Sequence, residues 1–274
     1  MGLYINGYNV EEVKREGNKV YFKLDEEKTE DLIHFLIEEF IDSGELKYLK
    51  FAFICNPEKF EKYFEEEVNA EFYRHYEGNI FYVLDKKEVI EQKFGVDIER
   101  IIKQNQKYIS NLPPSNLVLL FKKIQFDNRF KELVITEKIE HLLDGYYDYR
   151  ENIEDIIELS QIDKKLVKKA VSKNFDTYIL NTIKINFDDF CELGRGHYFE
   201  KVRDRIIAID ILYENGLLEE ECIKKFKEFI SENLEKINKL IKRRIKKENH
   251  QDYIKVLIKF LPPEFQIDYI SFFI

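Results

Sequence analysis

The chain has 274 residues and a formal net charge of −9, with 44% apolar residues, 35% charged residues, ten glycines and five prolines. This apolar content excludes an intrinsically disordered chain, and the scarcity of glycine and proline argues against a collagen-like chain or a loop-rich barrel or sandwich. The length suits one large domain or two domains of ordinary size.

The first hundred residues are predicted to mix strands and helices. Two strands, at 3–13 and 19–24, flank the turn Arg15-Glu16-Gly17-Asn18, which is a hairpin signal. Apolar residues at helical spacing then predict a helix that ends at Gly44. The alternating pattern within 46–54 predicts a further strand.

A second hairpin is predicted around Tyr76-Glu77-Gly78-Asn79, followed by a strand over 81–84. The segments EGNKVYFKLDEEK, at 16–28, and EGNIFYVLDKKE, at 77–88, match with one gap. We interpret the match as a duplicated strand–strand–helix unit, with chance similarity in a biased composition as the alternative. Such a unit predicts an α+β fold, with an N-terminal antiparallel sheet that carries helices on one face.

The remainder of the chain is predicted to be mostly α-helical, as a bundle or a short helical-repeat array. The proline-rich turn at 111–116 is the best boundary signal, so we predict an acidic α+β domain over 1–112 and a mainly α-helical domain over 113–274. The strongest predicted helix has seven apolar residues at steps of three and four, namely Ile223, Phe226, Ile230, Leu234, Ile237, Ile241 and Ile245.

Charge is distributed unevenly along the sequence. The net charge is −10 over residues 1–100, −2 over 101–160 and +3 over 161–274. The acidic helices of the first part are expected to present a negative surface to a basic partner, with solvated helix faces as the alternative.

The sequence predicts a cytoplasmic protein without a membrane segment. Its N-terminus lacks the charged and apolar regions of a secretory signal, and no stretch approaches eighteen apolar residues. Cys55, Cys191 and Cys222 have spacings unlike those of zinc or redox motifs, so we expect reduced cysteines in the core. Nothing here predicts an oligomeric state.

Common catalytic and cofactor motifs do not occur in the sequence. There is no phosphate-binding G-x-x-x-x-G-K-[ST], no dinucleotide-binding G-x-G-x-x-G, no G-x-S-x-G and no H-E-x-x-H. The five histidines do not pair at the spacing of metal ligands. We therefore predict no metal site and no cofactor.

The loop over 188–197 has the highest density of chemically active groups. Gly194, Arg195, Gly196 and His197 precede a predicted helix, whose free N–H groups attract anions, and an arginine there can clamp a phosphate or carboxylate. This predicts an anion or ligand site. Cys191 and His197 also suggest a nucleophile and its base. The alternative is a tight interhelical turn with solvated side chains.

A basic cluster of six residues lies near the end of the strongest predicted helix. Phosphate contact with RNA or another nucleic acid is one interpretation, and a solvated helix end that favours the helix dipole is the other. The six residues are Lys239, Lys242, Arg243, Arg244, Lys246 and Lys247.

Arg243 or Arg244, followed by His250, gives the spacing R-x6-H or R-x5-H in a helical region. This spacing is similar to the R-x4-6-H signature of HEPN-type ribonucleases, and the resemblance implies that arginine and histidine act together on an RNA phosphate without a metal. In an unbroken helix, Arg243 and His250 would lie on nearly one face, about 10 Å apart along the axis. The sequence departs from the signature at Ile245, where such motifs often carry a polar residue.

These observations favour a non-enzymatic interaction or regulatory protein that binds another macromolecule, with a protein as the expected partner. The acidic composition, rich in lysine, isoleucine and glutamate, is similar to that of antitoxins, immunity proteins and phage counterdefence proteins. One alternative is a HEPN-like ribonuclease or RNA-binding protein that uses Arg243, Arg244 and His250. The other is a sensor of small anions or nucleotides that uses residues 194–197.

Overall fold

The computed structural model describes residues 3–5, 8–16, 19–23, 26–74, 79–145, 149–193, 196–247 and 250–270. The chain divides into two compact units, Met1–Gln125 (unit 1) and Phe126–Ile274 (unit 2). The sequence predicts that the first independently folding domain ends at residue 112, and this boundary stays a prediction.

The first described residues of unit 1 form three short strands, β1 Leu3–Ile5, β2 Tyr8–Glu16 and β3 Lys19–Lys23. They pair antiparallel in the order β1-β2-β3, with Tyr4 opposite Asn9 and Glu16 opposite Lys19. The pairing between β2 and β3 shifts register between Glu12 and Lys14.

The described residues of unit 1 then form seven α-helices, with a 3-10 helix over Gln106–Asn111 before the last of them. Their apolar stripes form the core, in which Ile33, Phe40 and Phe64 are fully buried. The helices are α1 Glu26–Ser43, α2 Leu46–Cys55, α3 Phe60–Tyr73, α4 Phe81–Asp85, α5 Lys87–Phe94, α6 Ile98–Gln104 and α7 Pro114–Lys123.

The described residues of unit 2 form helices and connecting turns and contain no strand. A π-helical turn over Phe175–Leu180 joins two of its helices, and Ile206, Phe226 and Leu257 are fully buried in its core. The helices are α8 Asn128–Asp144, α9 Tyr149–Leu159, α10 Lys164–Asn174, α11 Asn181–Leu193, α12 His197–Glu214, α13 Glu220–Glu232, α14 Leu234–Arg244, α15 Gln251–Phe260 and α16 Pro263–Ile270.

The predicted α+β fold is wrong, because the described residues from 26 onward form helices and contain no strand. The segment 46–54, expected as a strand, lies in α2, which buries Leu49 and Ala52 one turn apart. The segment 81–84, expected as the strand of the second copy, lies in α4. The duplicated strand–strand–helix unit is therefore wrong as well, although Tyr76-Glu77-Gly78 of its turn lie outside the described residues.

The strongest predicted helix is two helices, since α13 ends at Glu232 and α14 begins at Leu234. Asn233 separates them, and its side-chain amide donates to the carbonyl of Phe229 at 3.0 Å. The apolar spacing of three and four continues across this break, which is why the sequence pattern does not reveal it.

None of the described helices combines the length and apolar content needed to cross a membrane.

Candidate functional site

The predicted catalytic residues Arg244 and His250 lie at the junction of α14 and α15 in unit 2. Helix α14 ends at Arg244, and His250 immediately precedes α15. The backbone N–H of His250 donates to the carbonyl of Lys247 at 3.0 Å, within the turn between the helices. Arg243 and His250 therefore do not share the face of an unbroken helix, because the helix ends between them.

Both arginines at the end of α14 contact the last turn of α11. Arg243 and Arg244 each donate from Nη2 to the carbonyl oxygen of Cys191, Arg244 at 3.2 Å. The last four carbonyls of a helix have no partner within the helix and carry partial negative charge. The two guanidinium groups therefore stabilise the C-terminal end of α11.

Arg244 is buried among aromatic rings, with 3% of its surface exposed. Its guanidinium carbon lies 5.1 Å from the ring centroid of Phe199 and 5.9 Å from that of Phe190, and its Nη1 lies 3.5 Å from the hydroxyl of Tyr253. A phosphate in solvent does not reach a guanidinium enclosed in this way. These contacts favour a structural role for Arg244.

His250 is half-buried against the same aromatic cluster. Its ring centroid lies 5.4 Å from that of Phe199 and 5.7 Å from that of Tyr253, both in edge-to-face geometry. Burial lowers the pKa of His250, and the positive charge of Arg244 lowers it further. Its Nδ1 atom is buried and has no hydrogen-bond partner among the residues that the structure describes. The imidazole is therefore neutral at pH 7 and retains one unused polar atom.

The thiol of Cys191 is unsuited to nucleophilic attack. Burial raises the pKa of this thiol to about 11, and the positive charge of Arg244 opposes the effect without overcoming it. The thiol is thus protonated at neutral pH, whereas the thiolate is the reactive form. His197, the proposed base, is the exposed first residue of α12.

The predicted anion site over 194–197 is described only in part. Gly194 and Arg195 lie outside the described residues. Gly196 immediately precedes α12 with a φ of 97°, a left-handed conformation that favours glycine. His197 then begins the helix, and an anion site at this position stays a prediction.

The basic cluster is only partly engaged in contacts. Lys239 pairs with Glu235 at 2.7 Å, one turn earlier on α14. Lys242, Lys246 and Lys247 are exposed and form no ion pair with another described residue. These three lysines are the members of the cluster that a phosphate backbone reaches most easily, and RNA binding by them stays a prediction.

A groove of about 540 Å³ lies between α9, α12 and α15, next to the cluster around Arg244 and His250. Tyr253 belongs to both, because it lines the groove while its hydroxyl meets Arg244. Apolar side chains of α12 form part of the lining. The charged side chains that line the groove are Arg150, Glu200, Arg203, Asp204 and Asp252.

Tyr149, the first residue of α9, lines this groove and is 2% exposed. Its hydroxyl is buried and has no hydrogen-bond partner in the described part of the chain. Burial raises the pKa of this phenol, so it is a neutral donor at physiological pH. Behind it, the guanidinium carbon of Arg205 lies 3.7 Å from the centroid of the Tyr149 ring.

Arg205 is a second buried cation beside the groove, with 5% of its surface exposed. Its Nη2 donates to the carbonyl of Gly145 at 3.4 Å, and its Nε has no partner among the described residues. Tyr149, Arg205 and His250 each have a buried polar atom without a partner among the described residues, and of the three only Tyr149 lines the groove.

Other clefts among the described residues include one of about 670 Å³ beside α13 in unit 2 and one of about 520 Å³ beside α3 in unit 1. No described side chain that lines either cleft has a buried polar atom without a partner. The groove at Tyr149 is therefore the candidate functional site.

Sequence reasoning missed Tyr149, Arg203 and Arg205. Arg205 lies three residues after Val202 and four before Ile209, on the buried stripe of α12, and Tyr149 lies four residues before Ile153 on that of α9. The signal available in the sequence was therefore a charged or polar residue at a position of an otherwise apolar helical stripe. Arg203 gave none, because it falls off the stripe.

Comparison with known proteins finds no matching family model, no matching curated protein and no matching solved structure. In the described part of the chain, no group of three His, Cys, Asp or Glu side chains is placed to hold a metal ion.

Proposed function

We propose that this protein is a cytoplasmic, non-enzymatic regulatory protein that acts by binding, with a small-ligand site in the groove of unit 2. The observation that carries the proposal is the groove itself, where the lining residue Tyr149 has a buried hydroxyl without a partner among the described residues. Buried polar groups are nearly always hydrogen-bonded, and leaving one unpaired costs about 1–3 kcal/mol. A ligand that accepts a hydrogen bond from this hydroxyl removes that cost.

The contacts of the predicted catalytic groups support binding over catalysis. Arg243 and Arg244 hold the end of α11, and the thiol of Cys191 is protonated. The groove has a volume that suits a small molecule, and one of its lining residues, Tyr149, has an unused polar atom.

Binding of another macromolecule, in the manner of antitoxins, immunity proteins or counterdefence proteins, is part of the proposal. Unit 1 has a net charge of −6, and its helices α1 and α3 expose carboxylates such as Asp31, Glu38 and Glu61. This charge suits a basic protein partner. RNA binding is the alternative, and it would use Lys242, Lys246 and Lys247.

The variant Tyr149→Phe tests the ligand site. It removes only the unpartnered hydroxyl, so we expect the free protein to be unchanged in stability or stabilised by up to about 2 kcal/mol. A ligand found by thermal shift against a panel of nucleotides, amino acids and organic acids should bind this variant about tenfold more weakly, as isothermal calorimetry would measure.

The matched control is Tyr213→Phe, which removes an exposed hydroxyl from α12 outside the groove. It should leave the affinity unchanged. Filling the groove with Ile207→Trp should abolish the thermal shift in a protein that retains its helical circular dichroism. Ligand binding that survives both groove variants would overturn the proposed site.

A further inference from the structure

Helix α10 of unit 2 is basic along its whole length. Five of its eleven residues are lysines, and none is aspartate or glutamate. Its buried face consists of apolar residues and Asn174. Of the other residues, Leu166 and Ser172 are half-buried, and the rest are lysines. These lysines form the lysine face, which consists of Lys164, Lys165, Lys168, Lys169 and Lys173.

One lysine of this face is engaged in a salt bridge. Lys169 pairs with Glu132 of α8 at 2.8 Å. The other four form no ion pair with a residue in the described part of the chain, and Lys164, Lys165 and Lys173 among them are exposed. The lysine face therefore presents four cations that no salt bridge holds.

Two of these lysines oppose the dipole of their own helix. Lys164 and Lys165 begin α10, and the first turn contains no acidic residue. A helix N-terminus carries partial positive charge, so a cation there is unfavourable. The N-cap carboxylate of Asp163, which accepts from the N–H of Leu166 at 3.0 Å, offsets part of this cost. Lys242, by contrast, lies in the last turn of α14, where the dipole favours a cation. Helix stability thus accounts for Lys242 and does not account for the lysines that begin α10.

The charges around the lysine face limit where an anionic partner can lie. Lys165, Lys169 and Lys173 recur every four residues and so form one row, with about 6 Å between neighbours along the helix axis. At the other edge, the backbone N–H of Glu219 donates to Oγ of Ser172 at 3.1 Å, which places the exposed glutamates 219–221 there. These carboxylates repel a polyanion. A polyanion is therefore expected to lie along the row of lysines and not across the start of α13.

We infer that the lysine face binds the phosphate backbone of double-stranded nucleic acid without reading its bases. Lysine is a flexible point charge that suits phosphate, and the backbone supplies most of the affinity in non-specific binding. The inference goes beyond the proposed function, because α10 contributes no residue to the lining of the groove.

The composition of the lysine face disfavours other anionic partners. Protein–protein interfaces are depleted in lysine at their centre and rely on aromatic and apolar anchors, whereas the exposed residues of α10 are all lysines. The same lack of exposed apolar residues disfavours insertion into a membrane surface. Single-stranded nucleic acid is held largely by bases stacked on aromatic rings, and α10 contains no aromatic residue.

Salt dependence gives the inference a quantitative test. Each phosphate contact on a duplex contributes about −0.9 to the slope of log K against log salt, so four lysines predict a slope of about −3.6. The affinity should then fall about 100-fold between 50 and 200 mM salt. Fluorescence anisotropy of a labelled DNA duplex of about 20 bp, titrated with the full-length protein, measures this slope.

Two triple variants of equal charge separate the lysine face from general electrostatics. The first carries Lys165→Gln, Lys168→Gln and Lys173→Gln. Its matched control carries Lys242→Gln, Lys246→Gln and Lys247→Gln, at exposed residues of and after α14. We expect the first variant to bind the duplex about tenfold or more weakly at 50 mM salt and to lose about 2.7 of the slope. The control should keep its slope and bind within about threefold of the wild-type protein.

Thermal unfolding separates lost contact from lost structure. Because Lys165 opposes the helix dipole, the lysine-face variant should melt no lower than the wild-type protein. A weaker affinity in a variant of unchanged stability then supports direct contact. If the variant melts well below the wild-type protein, these lysines stabilise the fold and the inference is wrong.

Further probes identify the partner. Duplex DNA and duplex RNA present the same phosphate chemistry, and the tighter of the two names the source. A single-stranded oligothymidylate, polyglutamate and vesicles rich in phosphatidylserine should each bind more weakly than either duplex at 50 mM salt. Equal or tighter binding of any of the three would overturn the inference in favour of that class of partner.

The remaining outcomes are equally decisive. Equal losses in the two triple variants would mean general attraction, and a loss confined to the control would place the nucleic acid at the end of α14. Either result overturns the inference, as does a lack of measurable duplex binding at 50 mM salt. None of them bears on the groove, which Tyr149→Phe tests separately.

Discussion

Arg243 and Arg244 are neighbours in sequence and bond the same carbonyl, yet their surroundings differ. Arg244 lies near two phenylalanine rings that stack on each other and meets a tyrosine hydroxyl, whereas Arg243 is exposed. We expect Arg244→Ala to lower the free energy of unfolding by about 2–4 kcal/mol, because it removes buried cation–π contacts and charged hydrogen bonds. Arg243→Ala should cost less than about 1 kcal/mol. Urea denaturation followed by circular dichroism measures both values.

The same pair of variants examines the ribonuclease alternative. A catalytic arginine would lose RNA cleavage on substitution while the protein kept its stability. If the Arg244→Ala variant unfolds at the same urea concentration as the wild-type protein, the structural role is contradicted. If that stable variant also loses an RNA-cleaving activity, the ribonuclease alternative is supported.

At the scale of single residues, sequence pattern located residues next to the candidate site and none of those that line it. The spacing of Arg244 and His250 singled out two residues that do lie in one aromatic cluster of unit 2. It did not indicate that Arg244 is buried, because burial depends on Phe190 and Phe199 from two other helices. Tyr149 and Arg203 come together with Tyr253 only through the packing of α9, α12 and α15, which no local pattern encodes.

At the scale of helices, Gly44 fixes the turn between α1 and α2. Its φ is 72°, and a Cβ placed on it would lie 2.7 Å from Cε1 of Tyr82. Gly95, at the end of α5, has the same φ but no atom within 4 Å of such a Cβ. Comparing the same substitution at both glycines therefore separates the cost of backbone strain from the cost of steric overlap.

We expect Gly95→Ala to cost about 1 kcal/mol of unfolding free energy, the penalty for a left-handed alanine. Gly44→Ala should cost about 2 kcal/mol more, because the ring of Tyr82 must move. Denaturant unfolding of both variants, and of Gly44→Ala in a Tyr82→Ala background, gives the comparison. If the two single variants cost the same in the wild-type background, the contact with Tyr82 carries no energy.

Some helix ends followed from sequence, whereas other assignments required the tertiary structure. The glycine that ends α1 was predicted, since a left-handed residue after an apolar stripe is a local signal. The strand expected at 46–54 is a helix because a dense apolar run satisfies either period, and packing of α2 on α1 decides between them. The break at Asn233 was missed because the apolar spacing passes through it.

At the scale of the whole molecule, the charge contrast depends on where the chain is divided. When the sequence is divided after residues 100 and 160, the net charge rises from −10 in the first part to +3 in the last. Divided into the two structural units, the net charge is −6 for unit 1 and −3 for unit 2. Both units are therefore acidic, and the basic residues of unit 2 matter through local placement. The buried Arg205 and Arg244 illustrate this, because both are cations enclosed in the interior of a unit that is negative overall.

The extent of unit 1 can be tested by comparing fragments 1–112 and 1–125. The longer fragment retains α7, which packs on α4 and fully buries Leu117 and Leu120. Lys123 of the same helix also pairs with Glu88 of α5 at 2.8 Å. The shorter fragment loses the burial of these two leucines, worth about 1.5–3 kcal/mol each, a large share of the 5–15 kcal/mol that stabilises a typical domain.

We therefore expect fragment 1–125 to unfold in one cooperative urea transition and fragment 1–112 to show a weaker, broader transition at lower urea. The matched control is Leu117→Ala in fragment 1–125, which keeps the chain length and loses about 2–5 kcal/mol by opening a cavity. If fragment 1–112 were as stable as fragment 1–125, the independent domain would end at residue 112, as the proline-rich turn predicts, and α7 would add nothing to it. A shared loss in the truncated fragment and the leucine variant would instead show that α7 completes the core of unit 1.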